Sequence, residues 1–279
     1  MPVGAIAALF FFTMRQIVRD AKFWGVAAVF LLPCALTLTI RRFAPPVTSL
    51  EQPWRLYHGL FQFMFLMGLL PLSCMIHGTA LVGADAESRT IGYLITRRLR
   101  RRTVLLTKYF ATALVLVPLG CASVFALHAS VVTGMDLASL AGRSPGLPDW
   151  NPAHDLTVYL YITALGVFGF LAIFGVIGLL TAKPLALSVT YFAMFELFIS
   201  NLPVGARQYS LTHHLRVTAV VKIPHLTRLF DLPGDLARQL FPADGSGVAE
   251  VLIVAAAAMI FASVLVSIRE LTPSKVARD

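Results

Sequence analysis

Apolar residues run along this chain in long blocks, parted by short clusters of charge and turn residues. A helix that crosses roughly 30 Å of hydrocarbon needs about 20 largely apolar residues. Six blocks reach or approach that length, approximately 23–40, 59–83, 109–132, 156–181, 184–202 and 248–268. The pattern predicts an all-α integral membrane protein, a single transmembrane domain over residues 1–279. Between the fourth and fifth blocks stands little more than Ala182-Lys183-Pro184. Proline opens a helix readily, so these two spans are expected to be antiparallel neighbours.

The segments between the blocks carry patterns of their own. Residues 1–22 place an apolar run before their charges, the reverse of a secretory signal, and are expected to be retained. Arg15, Arg19 and Lys22 share one helical face, opposite Phe11, Met14 and Val18, the pattern of a helix lying in the membrane interface. In the loop 84–108, Ile91, Leu94 and Ile95 recur at i, i+3, i+4 and predict a short amphipathic helix that ends in a basic cluster. The last long connection, 203–247, keeps apolar residues at intervals while Pro224 and Pro233 break it into pieces. Short helices are expected there. Residues 133–155 are turn-rich and carry little positive charge.

Composition agrees with the pattern. Hydrophobic residues make up 57%, charged residues only 13%, and the mean hydropathy is +0.77; soluble domains are about 25% charged. The net charge of +9 raises the question of nucleic acid. The basic residues lie in loops beside apolar spans, where the positive-inside bias and lipid phosphates account for them, so no nucleic-acid partner is expected. Orientation follows from the same residues. With both termini and 84–108 inside, 14 of the 23 Lys and Arg face the cytoplasm against 9 outside, including seven in the stretch Asp85 to Tyr109. This predicts a multi-pass protein of the cell inner (plasma) membrane, N-in and C-in. Residues 203–247 then form an outer segment despite Arg207, Arg216, Lys222, Arg228 and Arg238. Much of its length lies beyond the 15–20 residues from a span end that govern the rule.

Candidate chemistry is sparse. Cys34, Cys74 and Cys121 fall inside apolar blocks without a CxxC pair and read as packing residues. Glu196 lies about six residues, or roughly 9 Å at the helical rise, from the outer end of the fifth span. An ionisable group at that depth is a candidate for function or for pairing, and a polar neighbour is expected on another span or across a dimer axis. His154, His213, His214 and His225 show no i, i+4 pairing within one segment, so they read as solvated or interfacial and no metal site is expected. His77 and His128 read as packing residues. There is no GxxxxGK[ST] or HExxH motif, so no enzymatic activity, cofactor or P-loop ATP hydrolysis is expected of this chain.

Within the central loop, Glu87, Thr90, Ile91, Tyr93 and Leu94 are followed by Thr96 and Arg97, Arg101, and then Leu105, Leu106, Lys108 and Tyr109. That order resembles the permease subunits of ABC type-2 transporters. Arg98 stands where that family often has Pro, and Gly92 follows Thr90 instead of preceding it. The resemblance extends over essentially the whole chain. It includes an N-terminal interfacial helix, six spans, an acidic residue before Asn201-Leu202-Pro203, a Ser-to-Leu-Arg step from Ser210 to Arg216, and a long outer segment before the last span. It implies that Glu87, Thr90, Ile91, Leu94, Ile95, Arg97 and Arg101 belong to a coupling helix that docks on an ATP-binding cassette subunit. It also implies a second permease subunit, in a homo- or heterodimer, and export driven by ATP hydrolysis on the partner chain. A polytopic membrane enzyme and a non-transporting membrane partner in a larger complex stay open beside this reading.

Overall fold

A computed structural model describes residues 3–43, 47–87, 100–136, 150–181, 183–202, 205–230 and 247–268. Every regular element among the described residues is helical. Among the described residues, six stretches are long and apolar enough to cross a membrane: Ala21–Phe43, Glu51–Leu81, Arg101–Val132, Pro152–Leu180, Pro184–Asn201 and Val248–Ile268. The chain is an all-α, multi-pass membrane protein.

Local chemistry sets the helix boundaries. Helix α1 (Val3–Arg19) ends at Asp20, whose carboxylate accepts from the Lys22 amide at 3.0 Å and caps α2 (Ala21–Phe30). The first span steps at Leu31 between α2 and α3 (Leu32–Phe43), where Pro33 has no N–H to continue the ladder. The second span is α4 (Glu51–Gly59), a π-helical stretch Leu60–Leu69, and α5 (Leu70–Glu87). The third is α6 (Arg101–Val132) and the fourth is α7 (Pro152–Leu180). The Asn151 side chain accepts from the His154 amide at 3.1 Å and Pro152 fills the first turn of α7, two start signals in succession. The fifth span joins α8 (Pro184–Tyr191), a π-helical stretch Phe192–Phe198 and a 3₁₀ turn Ile199–Asn201. Then come a 3₁₀ turn Gly205–Tyr209, α9 (Leu211–Lys222), a second 3₁₀ turn Pro224–Phe230, and α10 (Val248–Ile268), the sixth span.

Spans two, three and four begin earlier than their apolar blocks, at Glu51, Arg101 and Pro152 where 59, 109 and 156 were expected. Hydrophobicity marks only the stretch that matches hydrocarbon, whereas hydrogen bonding carries each helix on to its cap. The extra turns matter, because they bring His58 and Asp155 inside the bundle.

The fourth span is the axis. In its most apolar window 72% of residues are buried, against 22% in the first and fifth spans and 17% in the sixth, which therefore present their apolar sides outward. Helix α7 packs on α5, α6, α8, α9 and α10. Small residues allow its closest approach. A Cβ on Gly178 would stand 2.8 Å from the Thr79 carbonyl oxygen and 3.0 Å from Thr79 Cα, and one on Gly78 would stand 2.8 Å from Phe174 Cβ.

The bundle has two chemically distinct ends. At one, α1 closes a cavity of about 90 Å³ lined by Thr13, Asp20, His77 and Lys108 among others, and Arg102 Nε donates to Ser267 Oγ at 2.6 Å. This end holds both stems of the 88–99 connection and the end of α10. At the other, Arg41 Nη1 donates to the Ser130 carbonyl at 2.6 Å, and the starts of α4 and α7 meet the 3₁₀ turn Pro224–Phe230. On α1 the face toward the bundle carries buried Leu9 and Thr13, while Phe11, Phe12, Arg15 and Val18 are exposed.

Candidate functional site

Of the residues assigned to the coupling loop, Thr90, Ile91, Leu94, Ile95 and Arg97 lie outside the described residues. Glu87 is the last residue of α5, with its side chain also outside the description, and Arg101 is the first of α6. The two stems leave the same end of the bundle.

Glu196 is fully buried in the π-helical stretch of the fifth span. Its Oε1 accepts from the Tyr191 hydroxyl at 2.9 Å and the Leu211 amide at 3.2 Å, and its Oε2 from Ser210 Oγ at 2.8 Å and the Thr212 amide at 2.9 Å. The carboxylate therefore sits on the first turn of α9, where amides without an intrahelical partner and the helix dipole favour an anion. Its polar neighbours are thus Tyr191 of its own span and the start of α9, where another span or a dimer partner was expected. Ser210 also caps that helix, accepting from the His213 amide at 3.3 Å.

Two turns along α9, Arg216 is 4% exposed. It donates through Nη1 to Asn201 Oδ1 at 2.9 Å and through Nη2 to Met67 Sδ at 3.2 Å, and lies 5.7 Å above the Phe63 ring. Burial pushes its guanidinium down to about 10 while the charge of Glu196 opposes the shift, so Arg216 stays cationic at neutral pH. Glu196, Asn201, Ser210 and Arg216, four residues that the sequence places in two separate steps, thus form one network. It ties the fifth span to α9 and α9 to the second span. His213 is pushed down to about 4, first by burial and then by its electrostatic interaction with Arg207, His214 and Arg216.

A second group forms at the end of the bundle that holds the starts of α4 and α7. His58 comes from the last turn of α4, Asp155 from the first turn of α7, and His225 from the 3₁₀ turn Pro224–Phe230. His58 Nε2 stands 3.3 Å and His225 Nε2 3.6 Å from the same carboxylate oxygen, Asp155 Oδ2. Neither contact has hydrogen-bond geometry, and both Nε2 atoms are buried without a hydrogen-bond partner. Trp150 Nε1 donates to Asp155 Oδ2 at 2.9 Å, and His154 Nδ1 lies 3.4 Å from Oδ1. The other ring nitrogen of His58 meets the Tyr159 hydroxyl. Two imidazoles and a carboxylate, with ligand atoms within 4.8 Å of one another, are a donor set that can hold a metal ion.

Sequence reading missed this group for a definite reason. His58 and Asp155 fall just outside the apolar blocks, and the three residues lie on separate segments with no shared periodicity. The available signal was Asn151-Pro152, a helix start that puts Asp155 inside a span. No protein-family model matches the chain, and no curated protein matches it.

Proposed function

We propose that this chain is the membrane-spanning permease subunit of an ATP-driven transporter of the ABC type-2 class, acting as an exporter. The observation that carries the reading is the network of Glu196, Asn201, Ser210 and Arg216. The resemblance picks these residues out as two motifs some ten residues apart, and they meet in three dimensions through direct hydrogen bonds and Arg216's contact with Asn201. The six-span bundle is a second support, with α1 and both stems of the 88–99 connection at one end. The basic excess supports a cytoplasmic position for that end, N-in and C-in, in the inner membrane. Helix α1 then lies in the cytoplasmic interface with Phe11 and Val18 toward lipid, and 205–230 forms short helices on the outer side. Glu87, Thr90, Ile91, Leu94, Ile95, Arg97 and Arg101 form the surface for a separate ATP-binding cassette subunit, and a second permease subunit completes the pathway. ATP hydrolysis belongs, on this reading, to the partner chain.

In the docking helix, Ile91, Leu94 and Ile95 give affinity, and Glu87 with the arginines gives orientation. The experiment is affinity capture of the chain from its native membranes. Wild type is expected to bring down an ATP-binding subunit, and Ile91→Ser with Leu94→Ser to lose it while membrane insertion is unchanged. Full capture by the double variant would remove the coupling role. The membrane-enzyme reading would draw on His58, Asp155 and His225, and capture of no ATP-binding subunit by wild type would favour it.

A further inference from the structure

We propose that His58, Asp155 and His225 form a binding site for a divalent first-row transition-metal ion of the Zn²⁺ type. The spacing is the first argument. Ligands about 2.0–2.1 Å from a tetrahedral ion stand roughly 3.3 Å apart. The separations from Asp155 Oδ2 are 3.3 Å to His58 Nε2 and 3.6 Å to His225 Nε2, close to the edge of such a tetrahedron.

The second argument is the state of the donor atoms. Asp155 Oδ2 already accepts from Trp150 Nε1. One oxygen has two lone pairs, so two further imidazole N–H groups would overfill it, whereas a single cation between the three side chains uses the remaining pair. Both Nε2 atoms are buried and lack any hydrogen-bond partner, which in a native interior calls for an explanation such as an ion. With its proton on Nδ1, donated to Tyr159, His58 turns a bare lone pair on Nε2 toward Asp155.

The third argument is the surrounding shell. Metal-bound histidines commonly have their other ring nitrogen hydrogen-bonded, and metal-bound carboxylates are hydrogen-bonded in turn. Tyr159 does the first for His58 and Trp150 the second for Asp155. His58 and Asp155 are fully buried, and the rings of Trp54, Trp150 and Tyr159 pack around His58 at centroid distances of 4.9, 6.3 and 5.6 Å. Imidazole and carboxylate donors without thiolate favour Zn²⁺ and its neighbours over Cu(I) or Ca²⁺. Three protein ligands leave a fourth position for water. The ion joins the second span, the fourth span and the 3₁₀ turn after α9, so it pins the segment 205–230 to the bundle.

The test uses the full, untagged chain purified in detergent, stripped with chelator and titrated with Zn²⁺. One ion per chain at micromolar or tighter affinity is expected, with a rise in thermal midpoint, because a ligand that binds only the folded form stabilises it. Co²⁺ should give the visible bands of a four-coordinate site. His225→Gln changes a side chain at the edge of the group, 27% exposed, and should fold yet bind about tenfold or more weakly. Tyr159→Phe should weaken binding by about tenfold without removing a ligand. His214→Gln, on α9 away from the group, should bind as wild type does. Folded wild type that takes up no stoichiometric Zn²⁺, or His225→Gln that binds as tightly as wild type, would overturn the site. None of these measurements needs an ATP-binding partner, so the site and the permease reading stand or fall separately.

Discussion

Four hydrogen bonds converge on the Glu196 carboxylate, two of them from backbone amides that have no intrahelical acceptor. Glu196→Ala leaves those donors and a buried Arg216 without an anion, a loss of about 2–5 kcal/mol. The expected result is a markedly lower thermal midpoint in detergent. Glu196→Gln keeps an oxygen acceptor and should lose much less. A second residue-scale outcome concerns pH. His213 is held neutral in the folded chain, at about 4, while an unfolded histidine titrates near 6.5. Between those values the unfolded state binds more protons, so stability falls as pH drops through the window and is full above it. Thermal midpoints measured from about pH 7 to about pH 5 should therefore fall less steeply in His213→Gln than in wild type. Glu196 was legible from sequence as a charge at membrane depth. Its partners were not, because the start of α9 lies beyond the end of the fifth span and no periodicity relates the two.

Helices α5 and α7 meet through glycine, and substitution there acts on the element as a whole. Gly178→Val would drive Cβ into the backbone of Thr79, which cannot move aside as a flexible side chain would. The expected result is poor recovery of monodisperse protein, whereas Ala257→Val, at an exposed position of the sixth span, should be tolerated. Gly247 is constrained differently. Its φ of +62° and a Cβ that would strike the His214 carbonyl both require glycine where the chain enters α10. The six spans were readable because about 20 apolar residues admit few alternatives to a membrane helix. The π-helical stretches Leu60–Leu69 and Phe192–Phe198 were not readable, since a change of ladder inside a largely apolar run leaves no capping or turn residue to mark it. The group of His58, Asp155 and His225 escaped for a related reason: its members lie on three segments far apart in sequence, and only the packing of α4, the start of α7 and the 3₁₀ turn Pro224–Phe230 brings them together.

For the molecule as a whole, the sequence yields the class of fold and a charge asymmetry, and the bundle gives that asymmetry two physical ends. The end with Lys108 and Arg102 should face the cytoplasm. Single cysteines at Ser139 and Gly245 should react with an impermeant reagent in intact cells, and cysteines at Arg97 or Ala277 should not. The reverse pattern would invert the topology. Under the proposed permease reading, a separate ATP-binding subunit would drive this chain through residues 87–101. The most direct measurement is ATP hydrolysis by the captured complex reconstituted in lipid, comparing wild type with the Ile91→Ser, Leu94→Ser double variant. Hydrolysis that co-purifies with the wild-type chain and falls to background with the double variant is the predicted result, and a complex that hydrolyses ATP equally well with both chains would contradict it.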